Sequence, residues 1–459
     1  MTGRFAAPEI IGRLLKGPSL AEVYFPQPPL YTFLFGLYTK LVGFGPRRCM
    51  LYDVLIHLLL VWSIVAAAAW VFKLPRGLSV LCGALSIPLG TVGRSDELGI
   101  VFALWAAVAF QSMRPKHWRA TAGGALLGLC CATSLSAFVF LGSLTAWELV
   151  SLKQDTEHKL RQFFVAAVAG LAAAACCVAP ILINHPTAYQ QIFAHTSDQP
   201  GIWNFVGHGM KVRAFFQLWQ EALWYGFEYG ILAFGLLGFA AVCWVFDRFR
   251  SRVEHQRVLL CAVAVSCIVV LTPGKYFYWW FPGVWLLITC VALAAQTSPS
   301  ISQWRRRFLF AFGVCAWLAA SMSYFRQKAI MWTLPADQSL TLNMSRVRAE
   351  IPVGAGVMTT DYWWALAGRD RVFDTLFSNP RVSDVDYIVL SGNGSGKPGT
   401  PLKIRSRYEN ADFQAINDHL NSTPESLFGL RISRSSYGFG AYILRRTGEP
   451  RALYTCSSK

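Results

Sequence analysis

Long apolar runs, separated by short charged or proline-containing breaks, fill the first 323 residues of this 459-residue chain. Runs suited to crossing a bilayer fall near 49–72, 77–93, 97–113, 119–134, 135–152, 163–184, 227–246, 258–272, 276–295 and 307–323. A helix needs about 20 apolar residues to span the hydrocarbon layer, and it satisfies its own backbone polar groups there. The pattern predicts ten membrane-spanning helices over 49–323, with a long connecting loop at 185–226. Residues 1–48 precede them as a stub. In it, Tyr24-Phe25-Pro26-Gln27-Pro28-Pro29-Leu30-Tyr31 combines prolines that stop a helix with aromatics that suit a membrane surface. The apolar stretch that follows is too short to span, which predicts an interfacial helix.

After residue 323 the pattern changes. Gly354–Thr360 and Val385–Leu390 read as buried strands, Asp412–Leu420 as an amphipathic helix, and Leu430–Arg446 as a hairpin turning at Ser435–Gly440. Gly392–Pro401 reads as a flexible loop. Residues 324–459 are thus expected to form a small α/β accessory domain. The whole reads as a polytopic α-helical membrane protein with a C-terminal α/β domain.

Composition narrows the function classes. Hydrophobic residues make up 54% of the chain and charged residues only 15%, which excludes an ordinary soluble enzyme. The net charge of +17 does not point to nucleic acid, because no soluble segment carries a basic face with interleaved aromatics. Most of the twelve cysteines lie inside apolar runs, where Cys packs as a small hydrophobe, and no Cys/His spacing suits a metal.

The basic residues instead fix orientation. One alternate set of loops holds fifteen, among them Lys73, Arg76, Arg114, Lys159, Arg257 and Arg305, whereas the other holds four, Arg94, Lys211, Arg213 and Lys275. The positive-inside rule places the richer set in the cytoplasm. Arg94–Glu97, the loop 185–226, the turn at Lys275 and the C-terminal domain are then outside. Ten spans also put the basic stub outside with no helix to carry it across, an arrangement most simply resolved by a further span upstream of Met1.

Three places carry candidate chemistry. Asp96 and Glu97 stand at the outer mouth of a span, where they suit the first turn of a helix or a carboxylate working as base at an outer cavity. Lys275, followed by Tyr276, belongs to an aromatic belt or meets a lipid phosphate. Lys211 and Arg213 are placed to neutralise a phosphate leaving group, while His185, His195 and His208 match no metal spacing. The sequons at Asn343, Asn393 and Asn421 carry no weight.

Tyr24–Tyr31 resembles the first outer loop of the polyprenyl-phosphate-dependent glycosyltransferases. This membrane-embedded GT-C class, glycosyltransferase family 39-like, includes protein O-mannosyltransferases and lipid A aminoarabinose transferases. Gly93–Leu98 resembles their acidic boundary, and Lys275–Pro282 their basic-aromatic segment. Ile351–Val357 and the region around it resemble their exported domain. The resemblance implies attack by an acceptor hydroxyl of a glycan, lipid or protein on a sugar carried by a polyprenyl phosphate. It also implies inversion, and an active site on the extracytoplasmic side of a bacterial plasma membrane. Asp96 and Glu97 would serve the chemistry, and Gln27, Tyr31, Arg94, Arg213, Lys275 and Tyr276 the donor phosphate and lipid. No cofactor beyond the donor is implied, and the sequence does not indicate a divalent cation. Two departures stand out. Gln27 replaces a lysine common in the aminoarabinose branch, and the family's main catalytic acid falls at or before Met1. A non-catalytic or truncated relative, or a transporter binding polyprenyl-linked glycans, is the rival reading.

Overall fold

The computed structural model describes residues 28–43, 46–89, 95–113, 115, 118–150, 156–184, 235–241, 252–271, 278 and 280–296, with parts of 304–325. It also describes 340–359, 366, 371–374, 385–391, 413–417, 426–427, 430–431 and 441–446. The chain divides into two compact units, one of residues 25–31 and 53–325, the other of 1–24, 32–52 and 326–459.

Helices follow the apolar runs closely. They are α1 Leu30–Val42, α2 Pro46–Trp70, α3 Arg76–Ser86, α4 Ser95–Ser112, α5 Trp118–Thr133 and α6 Leu135–Ala137. A π-helical turn, Phe138–Gly142, leads into α7 Ser143–Val150; α8 Thr156–Asn184, α9 Arg252–Leu271 and α10 Trp280–Gln296 follow. By length and composition, Leu51–Trp70 in α2 and Lys159–Ile181 in α8 suffice to cross a membrane. α2 buries His57, Leu60, Ile64 and Ala67 but exposes Leu51, Val54, Leu55, Leu58 and Trp62. A helix apolar on its outward face as well is one whose solvent there is not water. The expected helix over 227–246 is described only at 235–241, and the loop 185–226 lies outside the described residues.

α4 is the buried centre of this unit: Ile100, Leu104, Ala107 and Phe110 are all enclosed. α5 packs on it on one side and on α8 on the other. The α5–α8 crossing is so close that a Cβ at Gly124 would lie 2.1 Å from the Ala166 carbonyl oxygen, and one at Gly128 2.1 Å from that of Gly170. Small residues four apart allow backbones to meet where lipid provides no hydrophobic drive. Gly128→Val is therefore expected to force α5 from α8 and lower stability by about 1–3 kcal/mol, read as a lower melting temperature in detergent.

In the other unit, α1 lies against the start of α2 through Phe35, Tyr38 and Tyr52, with the Phe35 and Tyr52 ring centroids 5.0 Å apart. After α11, Leu340–Glu350, comes a five-stranded sheet in the order β2-β1-β3-β7-β4. Its strands are β1 Val357–Thr359, β2 Val372–Asp374, β3 Tyr387–Ser391, β4 Phe413–Asn417 and β7 Ala441–Arg446. β1 is parallel to β2 and β3, while β7 is antiparallel to β3 and β4. β1 is buried along its whole length, as a central parallel strand should be.

Two expectations are corrected here. Within the segment read as a helix over 412–420, Phe413–Asn417 form β4, because pairing with β7 overrides a local pattern that suits either period. The residues read as one hairpin over 430–446 are divided: β6 Leu430–Arg431 turns back on β5 Ser426–Leu427, and β7 joins the main sheet.

Candidate functional site

Asp96 and Glu97 occupy the first turn of α4, where unsatisfied backbone N–H groups and the helix dipole favour negative charge. The surroundings go beyond a helix cap. Asp96 is 5% exposed and Glu97 fully enclosed, and each reaches to a different neighbouring helix.

Asp96 turns toward the junction between α5 and α6. There Ser134, in extended backbone conformation, is the N-cap of α6, and its Oγ accepts the Ala137 N–H at 3.1 Å. The same hydroxyl donates to Asp96 Oδ1 at 2.5 Å. That separation sits at the short end of the range for a hydroxyl bonded to a carboxylate. Glu97 turns toward α2, where His57 Nδ1 lies 3.1 Å from Glu97 Oε1; Glu97 Oε2 has no partner among the described residues.

Tyr31 joins the same group through α2. Its hydroxyl donates to Asp53 Oδ1 at 3.1 Å. Asp53 and His57 are one helical turn apart, so they share a face of α2. Asp53 and His57, which the sequence analysis does not single out, thus tie Tyr31 and Glu97 to one face of α2, whereas Asp96 meets Ser134. His57 had a visible signal, as an ionisable group inside an apolar run. Ser134 had only its place at a boundary between two apolar runs.

Gln27, Arg94, Arg213, Lys275 and Tyr276 lie outside the described residues. Tyr278, three positions after Lys275, is described. Its ring centroid lies 5.7 Å from that of Phe140 and 5.4 Å from that of Phe281. Phe140 sits in the π-helical turn that follows Ser134 and α6, so the stretch 134–140 touches both Asp96 and the Tyr278–Phe281 rings.

A second buried ionic group lies toward the other end of α4. Glu148 of α7 receives Arg257 Nε at 2.8 Å and Arg257 Nη2 at 2.9 Å, and Gln111 Nε2 donates to its carboxylate at 3.0 Å. The guanidinium carbon is also 4.2 Å from the centre of the Phe72 ring. By sequence alone Arg257 counts as a loop charge. It is instead a helical residue, 8% exposed, whose charge is matched by a fully buried glutamate. Among the described residues no group of three or more His, Cys, Asp or Glu is arranged to hold a metal ion.

No family model and no curated protein matches this sequence. The three-dimensional comparison is more informative. The crystal structure of ArnT from Cupriavidus metallidurans in the apo state aligns over 96% of this chain and 93% of that one, with a TM-score of 0.53 and 11% identity. The chain has the ArnT fold. ArnT is a lipid A aminoarabinose transferase of the GT-C class. That is the class whose motifs Tyr24–Tyr31, Gly93–Leu98 and Lys275–Pro282 resemble, so the expected likeness holds for the fold. ArnT bound to undecaprenyl phosphate aligns with a TM-score of 0.49 at 12% identity over 97% of this chain and 93% of that one. The apo oligosaccharyltransferase of Archaeoglobus fulgidus gives 0.46 at 11% identity, over 85% of this chain and 66% of that one.

Proposed function

We propose that this chain is an integral-membrane glycosyltransferase that moves a hexosyl or pentosyl unit from a polyprenyl-phosphate donor to a hydroxyl acceptor. The acceptor is a glycan, lipid or protein at the extracytoplasmic face of a bacterial plasma membrane. The observation that carries this reading is the buried acid pair at the start of α4, tied to α2 through His57 and to the α5–α6 junction through Ser134. Two carboxylates enclosed at a helix start, each held by a separate neighbour, are more than a cap requires. The fold shared with ArnT supports the reading, as do the sequence motifs.

The chemistry needs a group that draws the proton from the acceptor hydroxyl and cations where charge develops on the departing phosphate. In the proposed step the acceptor oxygen bonds to the anomeric carbon and the bond from that carbon to the phosphate oxygen breaks. Configuration inverts, and the acceptor hydroxyl, polarised by the acid pair, passes its proton to the Asp96 carboxylate. Asp96 is the member assigned to the acceptor hydroxyl, and Glu97 fixes the start of the helix. Lys275 and Arg213 would neutralise the polyprenyl phosphate. Arg94, Gln27, Tyr31 and Tyr276 would contact its head group and the first isoprene units. Ten spans carry this site.

Lys275→Ala is expected to raise the half-saturating donor concentration about tenfold or more, because a hydrogen-bonded charge pair with phosphate is lost. The measurement is sugar transfer in membranes titrated with labelled polyprenyl-phosphate sugar. An unchanged donor dependence would return Lys275 to the aromatic belt.

A further inference from the structure

The reading above gives Asp96 a task but leaves open what holds it ready. We propose that Ser134 is a positioning residue for the transfer reaction, fixing the direction of the Asp96 carboxylate. This inference rests on that reading and adds to it a residue with no charge and no motif of its own.

Three observations converge on it. The hydrogen bonds run one way: the Ala137 N–H donates to Ser134 Oγ at 3.1 Å, and the Ser134 hydroxyl donates to Asp96 Oδ1 at 2.5 Å. A hydroxyl has one proton, and here the carboxylate takes it. Burial adds to the effect. Ser134 is 4% exposed and Asp96 5%, so this donor is not readily replaced by bulk water. Finally, α4 and the Ser134 turn are pressed together at Gly99. A Cβ there would lie 2.8 Å from the Ala137 Cβ and 3.1 Å from the Ser134 Cβ. Glycine at 99 is what lets the turn approach closely enough for the short bond to form.

The same turn begins the stretch that carries Phe140 to Tyr278 and Phe281. One piece of backbone, 134–140, therefore carries both the Ser134 contact with Asp96 and the Phe140 contacts with Tyr278 and Phe281. A shift of this turn would move the carboxylate and the aromatic cluster together.

Ser134 also caps α6, so the test must separate the cap from the donor. Glycine is a tolerable N-cap but offers no hydroxyl. In membranes supplied with labelled polyprenyl-phosphate sugar, Ser134→Gly and Ser134→Ala are both expected to lower kcat about tenfold to a hundredfold, the range for losing a hydrogen bond to a charged group. The donor KM should stay near that of wild type. Ser134→Gly should also keep a melting temperature close to wild type, whereas Ser134→Ala should melt lower. On an Asp96→Asn background, Ser134→Gly should add little further loss.

Wild-type rates in Ser134→Gly, alongside a slow Asp96→Asn, would overturn the inference while leaving the functional reading intact. A full additional loss in the double variant would overturn it too, by showing that Ser134 acts apart from Asp96. A wild-type chain that transfers no sugar would overturn both.

Discussion

Arg257→Met is expected to destabilise the helical unit by about 3–5 kcal/mol, the largest stability effect of any single change considered. The reason lies in what remains. Glu148 keeps its charge and full burial but loses both hydrogen bonds from the Arg257 guanidinium, its matching cation. A carboxylate stranded in this way must be protonated or hydrated, and either disturbs the packing of α7 against α4. The stacking of the guanidinium on Phe72 is lost as well. The paired change Glu148→Leu with Arg257→Met should recover most of the loss, because removing both charges removes the unpaired one. Thermal unfolding in detergent measures both. A single variant that melts with wild type would show that water, not Arg257, satisfies Glu148.

Asp96→Asn is expected to have the largest effect on activity, lowering kcat for sugar transfer about 100-fold, at the lower end of what positioned general acid–base groups supply. Asn is nearly the same size and can accept from the Ser134 hydroxyl, so the fold should survive. What disappears is the negative charge beside the acceptor hydroxyl. The donor KM should move little, because the donor phosphate is assigned to the basic residues. Glu97→Gln provides the contrast: it keeps an acceptor toward His57 and should disturb the rate less. Unchanged transfer in Asp96→Asn would reduce the carboxylate to a helix cap.

The helices were legible because a membrane segment leaves a plain trace. The run read at 97–113 is α4 Ser95–Ser112, and the boundary read between 134 and 135 is where Ser134 interrupts the helices. The strands at 357–359 and 387–391 were legible for a related reason, being short, apolar and rich in β-branched residues. β4 was not, since Phe413, Ala415 and Ile416 satisfy either period and only β7 decides.

The candidate site divides in the same way. Asp96 and Glu97 were visible as charges against an apolar background. Their partners were not, because His57 is 40 positions from Glu97 and Ser134 is 38 from Asp96. The Glu148–Arg257 pair spans 109 positions, and Arg257 read locally as one more loop charge. Periodicity identifies which faces are buried, but not which buried polar groups meet.

The most direct test of the central claim is sugar transfer by the wild-type chain itself. The chain is reconstituted in membranes with a polyprenyl-phosphate sugar labelled in the sugar and a cell-envelope extract as acceptor. Label should enter acceptor material in step with release of free polyprenyl phosphate, and only when the chain is present. Donor that stays intact, or crosses the bilayer unchanged without release of its phosphate, would contradict the account and make the protein a carrier-lipid binder or transporter.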